Sequence, residues 1–271
     1  MIRATERILV EGIFRDPFYT DEERGELCFS ETSFYVRAPI HLSISLLNVI
    51  ILRVLYSQKN QSLSSACTKK PHIHNIERSL GIVCALTLVL QIIYKIRSQS
   101  LIFILNPCHS AVFILTYLLF SPYKHYFMFN YLVSLLLGSL LGLNFPATDS
   151  LKGFGEVELF YMEHCLPLIG VITLASLHYK EDSLLKMSWH QIGLSVFSLY
   201  HRLILWPISE LYKVNLNFVI CGNSSDPFHK LLASGYLIAG EFYLSLGSYV
   251  VRYATLKPVF SILTYKKLLK Q

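Results

Sequence analysis

Long apolar runs separated by short polar stretches fill the chain from residue 38 to residue 254. Seven runs can be read, at 38–56, 79–96, 101–120, 125–145, 158–177, 189–212 and 231–254. Each is close to the ~20 residues that a helix needs to cross ~30 Å of hydrocarbon. The alternating pattern of a membrane barrel strand is absent. Lipid offers no partner to an unpaired backbone group, so helices are the expected form. The pattern predicts an all-α, polytopic membrane bundle of about seven transmembrane helices over residues 37–256. A polar N-terminal tail, 1–36, precedes it and a basic C-terminal tail, 257–271, follows. The second and third runs lie so close that they must form a tight helical hairpin. Two connections are longer: 57–78 is polar, and 213–230 contains the turn-favouring pair Asp226-Pro227.

Composition strengthens this picture. Of 271 residues, 53% are hydrophobic and 15% charged, with a mean hydropathy of +0.44. A soluble domain carries about 25% charged residues. The formal net charge of +6 raises the question of nucleic acid. The basic residues are spread over tails and loops rather than gathered on one face, so no nucleic-acid partner is expected. Basic loops next to membrane spans answer to topology and to anionic lipid. The expected partners are therefore the bilayer and lipid substrates, and nothing in the sequence specifies a protein partner. The six cysteines lack paired metal-type spacing, and neither a metal nor a cofactor is expected. Three of them (Cys84, Cys108 and Cys165) lie inside apolar runs, which argues against a secreted disulfide framework. The first 36 residues have no early apolar core of a cleavable signal peptide, so the first span serves as the targeting signal. The expected residence is an endomembrane such as the endoplasmic reticulum. Basic residues divide nearly evenly between the two faces. Lys266, Lys267 and Lys270 mildly favour the C-terminal face as cytoplasmic. Sequons at Asn60 and Asn223 fall on opposite faces of a seven-span chain, so at most one can be used.

Ionisable residues inside a membrane are costly and are candidates for function. Here they converge. With alternating spans, Cys108 and His109 lie roughly 10–12 Å below the face that holds the N-terminus, at about 1.5 Å per helical residue. On the same rise His164 lies at roughly 9 Å, and His201 and Glu241 at roughly 15–16 Å, below that face. Gln91 and Asn144 sit towards the same ends of their spans, and the connection with Cys221 and Asp226 lies on that side. These residues predict one polar chamber open to a single leaflet. The plainer reading also fits several of them. Cys84 and Cys165 read as small apolar residues, and His201 and Glu241 as bonds between helices. Cys108 stands apart through its setting, Asn106-Pro107-Cys108-His109. Proline inside a span is expected to kink the helix, free backbone groups and expose the thiol. A thiol in apolar surroundings needs a neighbour that accepts its proton. His164, at matching depth on a helix running the same way, is the candidate base. His109 points about 100° away on a helix and is assigned a supporting role, and Glu163 is not expected to share a face with His164.

These residues carry a resemblance. NPCH in the third run is followed by the Glu-x-Glu run from Glu156 to His164 and by Tyr200-His201. Then come Val214-Asn215-Leu216-Asn217, Cys221, and Ser225-Asp226-Pro227-Phe228. In this order and spacing they resemble the transmembrane protein 164 family, over more than half of the chain. The resemblance implies a lipid acyltransferase that moves a polyunsaturated acyl chain from phosphatidylcholine to a lyso ether phosphatidylethanolamine. It uses a cysteine of the third span, which maps onto Cys108, with His164 as partner. That family in turn resembles the androgen-induced membrane hydrolases, which pair a threonine with a histidine. The implied chemistry is attack of Cys108 on a phospholipid ester, a thioester intermediate, and transfer to a lysolipid. Asn106 is a candidate oxyanion donor, with His109, His201 and Asp226 as supporting candidates.

Two other classes stay open. A metal-dependent lipid hydrolase is suggested by His109, His164 and His201 with nearby carboxylates, although no H-x-x-x-H or H-x-x-E-H pair is present. A non-enzymatic lipid-binding scaffold or transporter is the other. Polar groups drawn towards one face argue against a through-path.

Overall fold

The computed structural model describes residues 29, 32–59, 67–69, 74–98, 100–146, 148, 151, 153–179, 185–222 and 236–268. Asp226, Asn60 and Asn223 lie outside them. The fold is all-helical apart from one short ladder, and α1 spans Phe34–Lys59 and α2 Asn75–Arg97. A 3-10 turn, Leu101–Leu105, leads into α3, Pro107–Phe120, and α4 is Tyr126–Asn144. Then come α5, Glu156–His178, and α6, Met187–Tyr200. A π turn, His201–Leu205, joins α6 to α7, Trp206–Tyr212, and α8 is Tyr236–Leu268. Within the 57–78 connection β1, Cys67–Lys69, pairs antiparallel with β2, Tyr123–His125.

Four helices (α1, α2, α4 and α5) are long and apolar enough to cross a membrane, and they make this a membrane protein. Their outer faces leave large apolar side chains uncovered, among them Leu46, Leu86 and Ile172, as lipid contact requires. The other three expected spans take different forms. The third is a 3-10 turn and a helix of 14 residues. The sixth is interrupted by the π turn, and the eighth helix runs for 33 residues through most of the segment read as a tail. Pro107 explains the first difference. It starts α3 rather than kinking a continuous span, because Asn106 is extended (φ −60°, ψ 142°) and proline suits a first helical turn.

The core lies where α3 is enclosed by α2, α4 and α5. Ala111, Val112, Leu115, Leu118 and Leu119 of α3 are fully buried against Cys84, Leu132, Leu136 and Leu174. Gly170 permits this approach, since a Cβ there would overlap the Leu115 side chain. The end of the bundle away from Cys108 is tied by charge. Glu77 starts α2 and accepts the backbone N–H of His74 at 3.0 Å. Its other oxygen meets Lys124 Nζ at 2.7 Å and His178 Nε2 at 2.8 Å. These groups come from the start of α2, the ladder after α3 and the end of α5, so α3 and α5 run the same way and α2 runs opposite to both, as the sequence predicted.

Candidate active site

A cavity of about 360 Å³ opens at the other end of the bundle. It is walled by the end of α2 (Gln91, Lys95), the start of α3 (Asn106, Cys108, His109), the end of α4 (Gly142, Phe145) and the start of α5 (Glu156, Glu163, His164). His201 and Arg202, from the π turn, and Glu241 of α8 close it. The sequence-predicted convergence of Cys108, His109, His164, His201 and Asn106 on one chamber is thus a feature of the fold. Asp226, the remaining supporting candidate, lies outside the described residues.

Local breaks position the key atoms. The Asn106-Pro107 step ends the 3-10 turn and leaves the Leu105 carbonyl without a helical partner. Tyr200 donates its hydroxyl to that carbonyl at 2.5 Å, which ties the end of α6 to the segment before Cys108. Cys108 is therefore the second residue of a helix, among the N–H groups that no helical carbonyl satisfies. The backbone N–H groups of His109 and Ser110 reach back to Asn106 O. The Asn106 side-chain oxygen is buried without a partner.

The thiol has a neighbour at bonding distance. Cys108 Sγ lies 3.3 Å from His109 Nδ1, and the same ring nitrogen lies 3.1 Å from Glu163 Oε1. Gln91 Nε2 donates to the second Glu163 oxygen at 2.9 Å. Three helices thus assemble a cluster in which Cys108 Sγ and Glu163 Oε1 both face His109 Nδ1, with Gln91 holding the other Glu163 oxygen. The expectation that His109 turns away from Cys108 compares Cα positions only. Adjacent Cβ atoms diverge by about 100° around the helix, yet two side chains can still close the gap at their tips. His164 faces the same cavity, but its Nδ1 contacts the Phe160 carbonyl at 2.7 Å. Its ring fills the space above Gly142, where any Cβ would overlap it.

The opposite wall is polar and tightly paired. Arg202 donates to Glu241, through Nε at 2.7 Å, and to the Leu237 carbonyl, while its Nη1 lies 2.8 Å from His41 Nδ1. Ser198 also donates to Glu241 at 2.9 Å. The π turn places the consecutive residues His201 and Arg202 on the same cavity, a use typical of such turns. His201 Nε2 is 2.5 Å from Asn217 Nδ2. Asn217 and Phe218 are both left-handed, with φ of 45° and 58°, a strained backbone for residues other than glycine. Asn215 holds that loop by accepting from the Ile220 N–H and donating to the Cys221 carbonyl, each at 3.0 Å. Cys221 itself is disulfide-bonded, so the apolar-run argument against disulfides does not extend to this loop.

The TMEM164 family model matches residues 29–257. The chain belongs to the TMEM164 family. No solved structure matches it. The family match spans every element that walls the cavity, and the motifs quoted above as the basis of the resemblance supply Cys108, His109, His164, Tyr200, His201, Asn215 and Asn217. Sequence reasoning missed Glu163, Lys95, Arg202 and His41 as parts of the same chamber. The signal for Glu163 was present: a second ionisable residue beside His164 in an apolar run. Cys108, His109 and Glu163 also place one ligand atom each within 4.8 Å of one another, a set that could hold a divalent metal.

Proposed function

We propose that this chain is a membrane phospholipid acyltransferase. It carries an acyl chain from a phospholipid to a lysophospholipid through a thioester on Cys108, with a lyso ether phosphatidylethanolamine as the acceptor the family resemblance suggests. The observation that carries the reading is the contact of Cys108 Sγ with His109 Nδ1 at 3.3 Å, with Glu163 at 3.1 Å from the same nitrogen. The geometry favours His109 as the base, with Glu163 stabilising the imidazolium it becomes. His164 then shapes the acceptor side. Seven membrane crossings and residence in an endomembrane such as the endoplasmic reticulum complete the proposal.

The steps follow from these contacts. The thiol proton moves to His109 Nδ1 while Sγ attacks the ester carbonyl. The developing oxyanion meets the backbone N–H of Cys108, at the start of α3, and the Asn106 amide. The C–O bond breaks, and the lysolipid leaves with the proton from His109. A second lysolipid then gives its hydroxyl proton to His109 and attacks the thioester, and the C–S bond breaks to restore the thiol. An apolar groove of about 490 Å³ reaches His109 from the other side, lined by Leu88, Ile92, Phe113 and Ile114, and offers a place for the acyl chain. The membrane setting excludes water, which favours transfer over hydrolysis. The test is mass spectrometry of the purified protein after incubation with phospholipid. An acyl thioester on Cys108, absent in Cys108→Ala, is expected; full transfer by Cys108→Ala would overturn the proposal.

A second reading rests on the Cys108, His109 and Glu163 grouping. Three protein ligands and one open position are the pattern of catalytic zinc, and the reaction would then be metal-assisted hydrolysis of a lipid ester. Stoichiometric zinc in the purified protein, lost in Glu163→Gln, would favour it over the thioester.

A further inference from the structure

Buried cations in this fold are paired, with one exception among the described residues. Arg37 meets Glu210, Lys124 meets Glu77, Arg202 meets Glu241 and Arg252 meets Asn130. Lys95 is 9% exposed, and its side chain forms no hydrogen bond or ion pair with any described residue. Its ammonium lies 5.7 Å from the centroid of the Phe103 ring. A lysine near the end of a membrane helix ordinarily extends its ammonium to water, and Arg97, two residues on, is exposed. Lys95 instead turns inward and lines the same cavity as Cys108 and Glu163. An ammonium held against a cavity without a bonded counter-charge is a natural partner for an anion there, because burying a charge is costly unless it is paired. A lysine present only to balance Glu163 would contact it. It does not: one Glu163 oxygen accepts from Gln91 and the other lies 3.1 Å from His109 Nδ1.

The geometry points to Lys95 as the seat of a phosphate anion, supplied by the headgroup of a glycerophospholipid. The proposal rests on the acyltransferase reading for its choice of lipid. A phosphodiester carries one permanent negative charge, and lysine is a fitting point-charge partner for it. Phosphate and acyl ester are a few bonds apart in such a lipid, so one molecule can meet Lys95 and Cys108 within one cavity. Arg202 cannot take this role, because Glu241, His41 and the Leu237 carbonyl already occupy its donors. Phosphatidylcholine and phosphatidylethanolamine share the phosphate, so this contact selects phospholipid over neutral lipid without choosing between headgroups.

The experiment uses the full chain in nanodiscs with two photoactivatable lipids of the same acyl chains, a phosphatidylcholine and a diacylglycerol. Crosslinking is compared in Cys108→Ala, which cannot form a thioester, with and without Lys95→Ala or Lys95→Arg. Lys95→Ala is expected to lose phosphatidylcholine labelling about tenfold, the size of one charge-assisted contact. Diacylglycerol labelling stays unchanged, which also reports an intact fold, and Lys95→Arg retains most phosphatidylcholine labelling. Equal labelling by both lipids regardless of residue 95 overturns the proposal. So does full competition by inorganic phosphate, which would mark a site for the free ion. The two readings fail separately. If no thioester forms on Cys108 yet labelling depends on Lys95, the transferase reading falls and the headgroup site stands. If thioester yield from phosphatidylcholine is the same with Lys95→Ala, the headgroup site falls and the transferase reading stands.

Discussion

Glu163→Gln is the sharpest probe of the proposed chemistry, because it removes one charge and almost no volume. In the native site the carboxylate lies 3.1 Å from the nitrogen that faces the thiol. At an effective dielectric of about 20, a unit negative charge at that separation stabilises an imidazolium by about 5 kcal/mol. Each 1.36 kcal/mol is about a factor of ten in rate, so full loss corresponds to about 10⁴. The lower bound is about 10², where the carboxylate shares a proton with His109 and part of its charge is already neutralised. An amide adds a second effect: its N–H₂ can donate to Nδ1 and occupy the lone pair needed for the thiol proton. Gln91 can still donate to the amide oxygen, so the packing of α2 on α5 is retained and thermal unfolding should shift little. The assay is single-turnover thioester formation on Cys108, followed by transfer to lysolipid. Turnover should fall while the half-saturating phospholipid concentration changes little, since Glu163 faces His109 rather than substrate. Glu163→Asp should recover part of the loss. A Glu163→Gln protein within twofold of the native rate would refute the role of the carboxylate, and with it the assignment of His109 as base. His164→Gln would then become the decisive variant.

Three other outcomes follow from single contacts. Gly142→Ala drives a methyl group into the His164 ring and should cost about 1–3 kcal/mol of stability with reduced transfer; Gly138→Ala, on the same helix with open space around it, should be neutral or slightly stabilising. Equal melting curves for the two would refute the packing of His164. Glu77→Ala leaves Lys124 buried without its carboxylate and should destabilise by about 3–5 kcal/mol, read by thermal unfolding in detergent; an unchanged melt would show that the cluster is not closed. Cys221 is disulfide-bonded, and disulfides persist in oxidising compartments, so its loop is expected on the lumenal or extracellular side. Asn223 should therefore carry the glycan, and Asn223→Gln should abolish the glycosidase-sensitive gel shift while Asn60→Gln leaves it. The reverse result would refute this sidedness.

Much of the chamber was legible in the sequence because helix direction alternates. Depth along each span is a one-dimensional quantity, and it brought Cys108, His164, His201 and Glu241 to one face without any knowledge of packing. Pairing was not legible, because it depends on rotation about each helix and on side-chain torsions. The helical-wheel angle separated Cys108 from His109 and Glu163 from His164, yet all four line one cavity. The wheel describes a continuous helix, whereas α3 begins at Pro107 and its first residues have no preceding turn to constrain them. A second failure has the same origin. Pro107 can kink a helix or start one, and only the extended Asn106, held through Tyr200 and Leu105, decides for the start.

The polar wall also explains why the seven expected spans are not equally visible by hydropathy. The four helices that satisfy length and apolarity alone are α1, α2, α4 and α5. The sixth run and α8 do not, and these two carry Arg202 and Glu241. Hydropathy charges each of these residues as though it met lipid. In the fold they meet each other, with His41, Ser198 and the Leu237 carbonyl completing the set. Arg252 of α8 likewise faces Asn130 of α4. An ion pair closed inside the protein presents little charge to the bilayer, so the loss of apolarity in the sequence overstates the cost of crossing. The π turn has the same effect on length, since it divides an otherwise continuous helical path from Met187 to Tyr212. Two of the segments that look least like spans therefore carry the ion pair that closes the chamber, and breaking the pair tests this directly. Glu241→Gln should leave Arg202 charged and unpaired beside the cavity, lowering membrane insertion or stability. Replacing both Arg202 and Glu241 with apolar residues should restore the fold while removing that wall of the site.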